Sequence, residues 1–284
     1  MRLVFVMAFL AISSRAYAGD KLVDVLDARF EDVFGPDPQE DAALPRFALV
    51  GGDVIVAPKS AGDAMGGHGE QSTFRMIAGL SSDKTAAWYA ADLAEFEPGC
   101  GAAPCPPPPP PPPAELHAVA VFEKSGADWK PIVWSVAPVV AGKDQAASIK
   151  RGDVPGAMPA KNDGADDALA VFGATIGDPK ALAKSVSSRK DAVLYGSEAS
   201  ERVIGGAKVA AKLTGWNLAF KVRDGVSAGV SSSKTVAWIA ANLDATSKKK
   251  PKDKPVPYRA LFVYEKQGAD WKLVVASFAY LTGD

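Results

Sequence analysis

Residues 81–93 read SSDKTAAWYAADL, and residues 231–243 read SSSKTVAWIAANL. Further on the pairing returns: residues 118–137 read AVAVFEKSGADWKPIVWSVA and residues 260–279 read ALFVYEKQGADWKLVVASFA. Two Trp-containing blocks therefore recur in the same order, separated each time by a polar, proline-bearing loop. Such self-similarity is the mark of a duplicated folding unit and is read before any local pattern. Apolar residues in 86–93 and 236–243 fall at odd and even positions alike, so both faces of these strands should be covered. Residues 117–123 with 129–137, and 259–265 with 271–279, read as antiparallel hairpins closed by short glycine-containing links.

The chain has 284 residues, enough for about two domains at the usual ~100–200 residues each. The expected division is a signal peptide at 1–18, a first domain at 19–141, a linker at 142–165 and a second domain at 166–284. Arg2, the apolar run 3–12 and the small-x-small site Ala16-Tyr17-Ala18 predict export with cleavage after Ala18, hence a secreted or periplasmic protein. The linker is rich in Gly, Pro, Asp, Lys and Ala and has no periodicity. A formal net charge of -1 gives no electrostatic reason to expect nucleic acid. No apolar run beyond the N-terminus approaches the ~20 residues of a membrane-spanning helix.

Within the first domain, 21–34 carries apolar residues at helical spacing and stops at Gly35-Pro36. Residues 41–47 suggest a short helix, 47–56 a strand broken at Gly51-Gly52, and 57–71 a loop or poor helix. Helices are expected in the second domain over 167–176, from Asp178-Pro179 onward, and over 206–216. Residues 193–196 read as a short strand. Residues 218–222 and 226–230 read as two strands turned at Asp224-Gly225. The loops that separate the Trp blocks differ: 106–113 is a pure proline run, and the matching place holds Lys248, Lys249, Lys250, Lys252 and Lys254. Tolerated loop insertion accounts for both more simply than recruitment of an aromatic groove or an anionic surface.

The order of elements in the second domain resembles the SnoaL-like, ketosteroid-isomerase-like superfamily that includes nuclear transport factor 2. Residues 224–231 (DGVSAGVS), 237–240 (AWIA) and 268–272 (GADWK) carry the likeness, which extends over nearly all of the second domain and the latter half of the first. The resemblance implies an α+β fold of two tandem cone-shaped domains, each a curved antiparallel sheet with helices packed on one face. Relatives often dimerise by stacking sheets. Here the apolar residues on both strand faces suggest that the two domains stack on each other as an intramolecular pseudo-dimer.

Enzymes of that superfamily, ketosteroid isomerase among them, use a carboxylate base and oxyanion-directed acids in an apolar cavity. Pocket candidates in the second cone are Glu201, Asn242 and Tyr258, with Trp216 as an apolar wall; Asp224 is more simply a turn residue, and Glu201 and Arg202 could pair with each other or cap the helix at Gly206. No residue matches a specific catalytic position. Between the repeats, packing and turn residues recur, whereas Asp92 stands against Asn242, Tyr89 against Ile239 and His117 against Arg259. An amide cannot accept a proton as a carboxylate does, which argues against two equivalent acid–base sites. His68 lies in a glycine-rich loop with no second nitrogen ligand near it, so no metal is expected. Neither a nucleophile elbow nor a phosphate loop is present, and no cofactor is expected. Cys100 and Cys105 are the disulfide candidate in an oxidising compartment. The function expected is a non-catalytic binding or scaffold module for a small apolar ligand or a protein partner, with a small-molecule isomerase, cyclase or hydrolase as the alternative.

Overall fold

The computed structural model describes residues 18–35, 39, 41–50, 53–60, 71–95, 116–139, 157–198 and 201–281. Residues 1–17 of the expected signal peptide, His68, the cysteine pair and the proline run lie outside the described residues.

The chain is an α+β protein built on two sheets. The first holds β1 (Phe47–Val50), β2 (Asp53–Val56), β3 (Gln71–Leu80), β4 (Ala86–Glu95), β5 (Leu116–Ser125) and β6 (Asp128–Pro138), in the order β2-β1-β6-β5-β4-β3. The second holds β7 (Lys161–Asp163), β8 (Val193–Tyr195), β9 (Arg202–Ile204), β10 (Leu218–Val230), β11 (Val236–Ser247), β12 (Val256–Gln267) and β13 (Asp270–Tyr280), in the order β7-β10-β11-β12-β13-β8-β9. Read from the opposite end, the second order repeats the first and adds β7 at the edge. The strand pairings repeat too. Both β1–β6 and β8–β13 run parallel, and the other ladders shared by the two sheets are antiparallel.

Each sheet carries helices on one face. Helix α1 (Ala18–Phe34) presents Leu26, Phe30, Val33 and Phe34 to the first sheet, where they join Tyr89, Phe122 and Trp134 in one core. On the second sheet lie α2 (Asp166–Thr175), α3 (Pro179–Ser185) and α4 (Gly206–Gly215). Asp178 caps α3 by accepting from the Lys180 amide at 3.3 Å, with Pro179 at the first helical position. Residues 41–46 have no helix, in contrast to the sequence expectation: Pro45 donates no amide proton and disfavours helical backbone at the residue before it.

Where the sequence predicts two strands turned at Asp224-Gly225, β10 runs unbroken and bulges between Val222 and Val226. Its counterpart β3 bulges between Phe74 and Ile77. A bulge bends the strand and sharpens its twist. Residues 161–163, inside the expected linker, pair with β10 as β7.

The other faces of the two sheets share a third core, containing Phe47, Trp88 and Val121 from one half with Tyr195, Trp238 and Val263 from the other. Trp88 sits opposite Gly79 in the β3–β4 ladder, and Trp238 opposite Gly229 in the β10–β11 ladder. Trp129 and Trp271 are each 7% exposed against the helix-facing core of their own half. The repeated tryptophans thus have like surroundings.

Contacts at the rim of the shared core are reciprocal. Ser82 donates its amide and hydroxyl to Glu265, both at 2.9 Å, while the Ser232 amide donates to Glu123 at 2.6 Å. Glu123 also pairs with Arg46 at 2.8 Å, and Glu265 with Arg189 at 3.3 Å. Thr85 donates to the Ser233 hydroxyl at 2.7 Å, and Thr235 to Asp83 at 3.1 Å. Among the described residues, no helix is long and apolar enough to cross a membrane.

Candidate functional site

The second helix-bearing sheet borders a partly open cavity of about 230 Å³. Five aromatic side chains line it: Trp216, Phe220, Tyr258, Phe278 and Tyr280. Their positions follow from register and capping. Tyr258 and Tyr280 are opposite one another in the β12–β13 ladder, with ring centroids 4.8 Å apart. Phe278 is two residues back along β13 and therefore on the same face. It stacks on Phe220 at 5.3 Å. Helix α4 stops at Gly215, where Trp216 turns to extended backbone and sets its indole edge-on to Phe278 at 5.1 Å.

The polar part of the wall comes from the segment between β8 and β9. The Gly196 amide donates to the Glu201 carbonyl, and the Glu201 amide to the Glu198 carbonyl, each at 2.8 Å. A Cβ on Gly196 would stand 2.2 Å from Glu201 Oε2, so the glycine makes room for that carboxylate. Glu201 Oε1 pairs with Lys212 Nζ of α4 at 3.2 Å. Glu201 therefore pairs with Lys212 and not with Arg202, because Arg202 points away to Tyr195, the Arg75 carbonyl and Asp92. Burial pushes the Tyr258 phenol well above the ordinary tyrosine range, and its bond to Tyr280 and the nearby charge of Glu201 add to this, against a lowering bond from Ser197. Tyr258 is a neutral hydroxyl at any ordinary pH.

Glu201, Trp216 and Tyr258 thus line one cavity, but Asn242 does not. On β11 the side chains alternate: Leu243 faces the helices, whereas Trp238 and Ala240 face the other sheet. Asn242 has the parity of Trp238, so it lies on the far side of the sheet from Tyr258. There its Oδ1 accepts from Arg259 Nε and its Nδ2 donates to Asp224, both at 3.0 Å. Asp224 sits in the β10 bulge and also accepts from the Met158 amide at 3.2 Å. Ser197, Glu198, Phe220, Phe278 and Tyr280 were not anticipated. The signal for Tyr280 was the hairpin register that sets it against Tyr258.

The matching place in the first half holds a buried ionic cluster. Asp92 is fully buried, with its Oδ2 2.5 Å from Arg75 Nε and its Oδ1 2.9 Å from His117 Nδ1. Arg202, from the other half, lies 3.7 Å from Asp92, and the His117 ring stacks on Tyr195 at 4.2 Å. The bulge residue that joins the network is a cation in β3 (Arg75) and an anion in β10 (Asp224). Both networks read as structure.

On the helix-facing side of the first half, aromatic side chains pack on one another. Phe30 stacks on Phe34 at 4.7 Å, and the two rings meet the edge of Trp134 at 5.9 and 5.0 Å. Trp134 faces Ala120 across the β5–β6 ladder, whereas the second half has Phe262 facing Ala276. A wider groove of about 660 Å³ runs between α2 and the β12–β13 turn, and charged residues including Asp167, Lys184 and Asp270 border it. Among the described residues, no three His, Cys, Asp or Glu side chains gather as a metal site requires.

No family model matches the chain, and no curated protein matches it. Solved structures similar to it include an NTF2-like protein with a cystatin-like fold from Novosphingobium aromaticivorans, with 14% identity and a TM-score of 0.35 over 42% of this chain and 82% of that one. A ketosteroid isomerase-like protein from Erwinia carotovora atroseptica has 20% identity and a TM-score of 0.30 over 42% of this chain and 92% of its own. An uncharacterised protein with a cystatin-like fold from Caulobacter vibrioides has 11% identity and a TM-score of 0.34 over 43% and 92%. The chain is thus similar to ketosteroid isomerase-like, NTF2-like and cystatin-like structures, each over a length near that of one of its two units.

Proposed function

We propose that this is an exported, non-catalytic binding protein whose second unit holds a small molecule by its apolar part, while its first unit is a plugged copy serving as scaffold. The observation that carries this reading is the contrast between the two helix-facing spaces. Five aromatic side chains surround about 230 Å³ in the second unit. Phe30, Phe34 and Trp134 pack into one another in the first. An apolar cavity of ~150 Å³ already takes up benzene, so the second is large enough for a substituted ring. In this reading the units form an intramolecular pseudo-dimer, supported by the shared apolar core and the reciprocal Glu123 and Glu265 contacts. Leu218 lines the cavity and serves as reporter. Titration with toluene should give saturable shifts at its methyl resonances; their absence would overturn the reading. Export is checked separately by N-terminal sequencing of the secreted or periplasmic fraction, which should begin at Gly19.

One observation favours the enzymatic alternative. Tyr258 is a protonated donor facing the same cavity as the Glu201 carboxylate, a pairing an isomerase, cyclase or hydrolase could use. Against it, Glu201 is committed to Lys212 at 3.2 Å. Turnover of a substrate that Glu201→Gln abolishes without loosening binding would favour the enzyme.

A further inference from the structure

We infer that the molecule held in the second unit is a small organic cation, an alkylammonium or quaternary ammonium compound whose apolar part enters among the aromatic side chains. This rests on the reading of the cavity as a ligand site and specifies its chemistry. Among the described residues, the ionisable side chains of the wall, apart from its two tyrosines, are the carboxylates Glu198 and Glu201, and no lysine or arginine lines it. Glu201 is partly balanced by Lys212, whereas Glu198 is exposed and makes no ion pair among the described residues. The wall therefore keeps a net negative charge at its polar side. The aromatic side chains add to this, since the face of each ring carries the negative lobe of its quadrupole and attracts a cation brought over it. An anion would meet both carboxylates. A neutral hydrocarbon would use the rings and leave the carboxylates without a counter-charge.

The lysine run does not reverse this balance. Lys248 is paired with Asp178 at 3.2 Å. Lys249, Lys250, Lys252 and Lys254 are exposed, where salt screens them over ~10 Å. The volume suits a ring bearing one compact head group.

The test compares three probes on the full chain by calorimetry, with Leu218 methyl shifts to place each one: phenyltrimethylammonium, its neutral isostere tert-butylbenzene, and benzoate. Phenyltrimethylammonium should bind about tenfold tighter than tert-butylbenzene, with benzoate weakest. Glu198→Gln, at an exposed position, should weaken the cation about threefold or more and leave tert-butylbenzene unchanged. If tert-butylbenzene or benzoate binds as tightly as the cation, the inference fails while the cavity remains a ligand site. If Glu198→Gln leaves the cation's affinity unchanged, the inference also fails. If none of the three binds, the cavity reading fails with it.

Discussion

Gly79→Ala tests the joint between the two sheets at its tightest point. A Cβ at Gly79 would stand 2.1 Å from Cε2 and Cζ2 of Trp88, so one of the two must move. The indole has little freedom to move: Trp88 is fully buried, its Nε1 donates to the Asp191 carbonyl at 3.2 Å, and the Arg189 guanidinium lies 4.7 Å from its ring centroid. Overpacking a well-filled core costs ~1–3 kcal/mol. If the ring swings away, the hydrogen bond (~0.5–1.5 kcal/mol) and the cation–π contact (~0.5–1 kcal/mol, since Arg189 is partly exposed) weaken too. A loss of about 2–5 kcal/mol follows. Gly229→Ala makes the same intrusion on Trp238 at 2.8 Å and should cost less, about 1–3 kcal/mol. Gly126→Ala is the control: its Cβ would meet nothing, and the positive φ of 67° alone costs about 1 kcal/mol. Urea unfolding followed by tryptophan fluorescence and circular dichroism gives the three values. If Gly79→Ala falls within about 0.5 kcal/mol of the parent, or Gly229→Ala is the more damaging of the pair, the packing described for Trp88 is wrong.

Other perturbations have equally definite outcomes. Burial alone would raise the Asp83 carboxyl, but hydrogen bonds from Ser81, Thr85 and Thr235 outweigh it and hold the pKa at about 2. Because the folded value lies below the unfolded ~3.9, the contribution is complete above pH ~4 and disappears as pH falls toward 2; the stability advantage of the parent over Asp83→Asn should follow that window. Burial raises the phenols of Tyr89, Tyr195, Tyr258 and Tyr264 above the ordinary range. Their stabilisation is present below pH ~10 and lost above it, so these four should show no phenolate absorbance until the chain unfolds. Asp92→Ala removes the anion from between Arg75, His117 and Arg202, and should cost about 1–3 kcal/mol in urea unfolding, since Arg75 is half exposed and can turn to solvent. Asp92→Asn, the residue at the matching place in the second half, should cost less.

The duplication was legible because packing and turn residues recur at matching positions, and those residues determine the ladders. Trp88 with Gly79 and Trp238 with Gly229 follow from a shared pattern of strand, turn and strand. Helix ends were legible where the signal is local, as at Gly35 and at Asp178-Pro179. The unbroken β10 was not, since Asp224-Gly225 reads locally as a turn; only pairing with β11 on both sides makes it a bulge. Asn242 was misplaced by one strand face, although its parity with Trp238 was there to be read. The cavity was only half visible. Phe220 comes from β10, Tyr258 from β12, and Phe278 and Tyr280 from β13, and no local motif announces aromatic residues that converge through register.

The packing of one half on the other is tested most directly by a cross-link between them. Thr85 Oγ1 and Ser233 Oγ lie 2.7 Å apart, a separation that suits a disulfide between the two β-carbons. In a background with Cys100→Ser and Cys105→Ser, the pair Thr85→Cys and Ser233→Cys should close quantitatively within one chain under mild oxidation, and tryptic mapping should recover the linked peptides. Thiols that stay reduced, or disulfides formed only between separate chains, would contradict the packing of one sheet on the other.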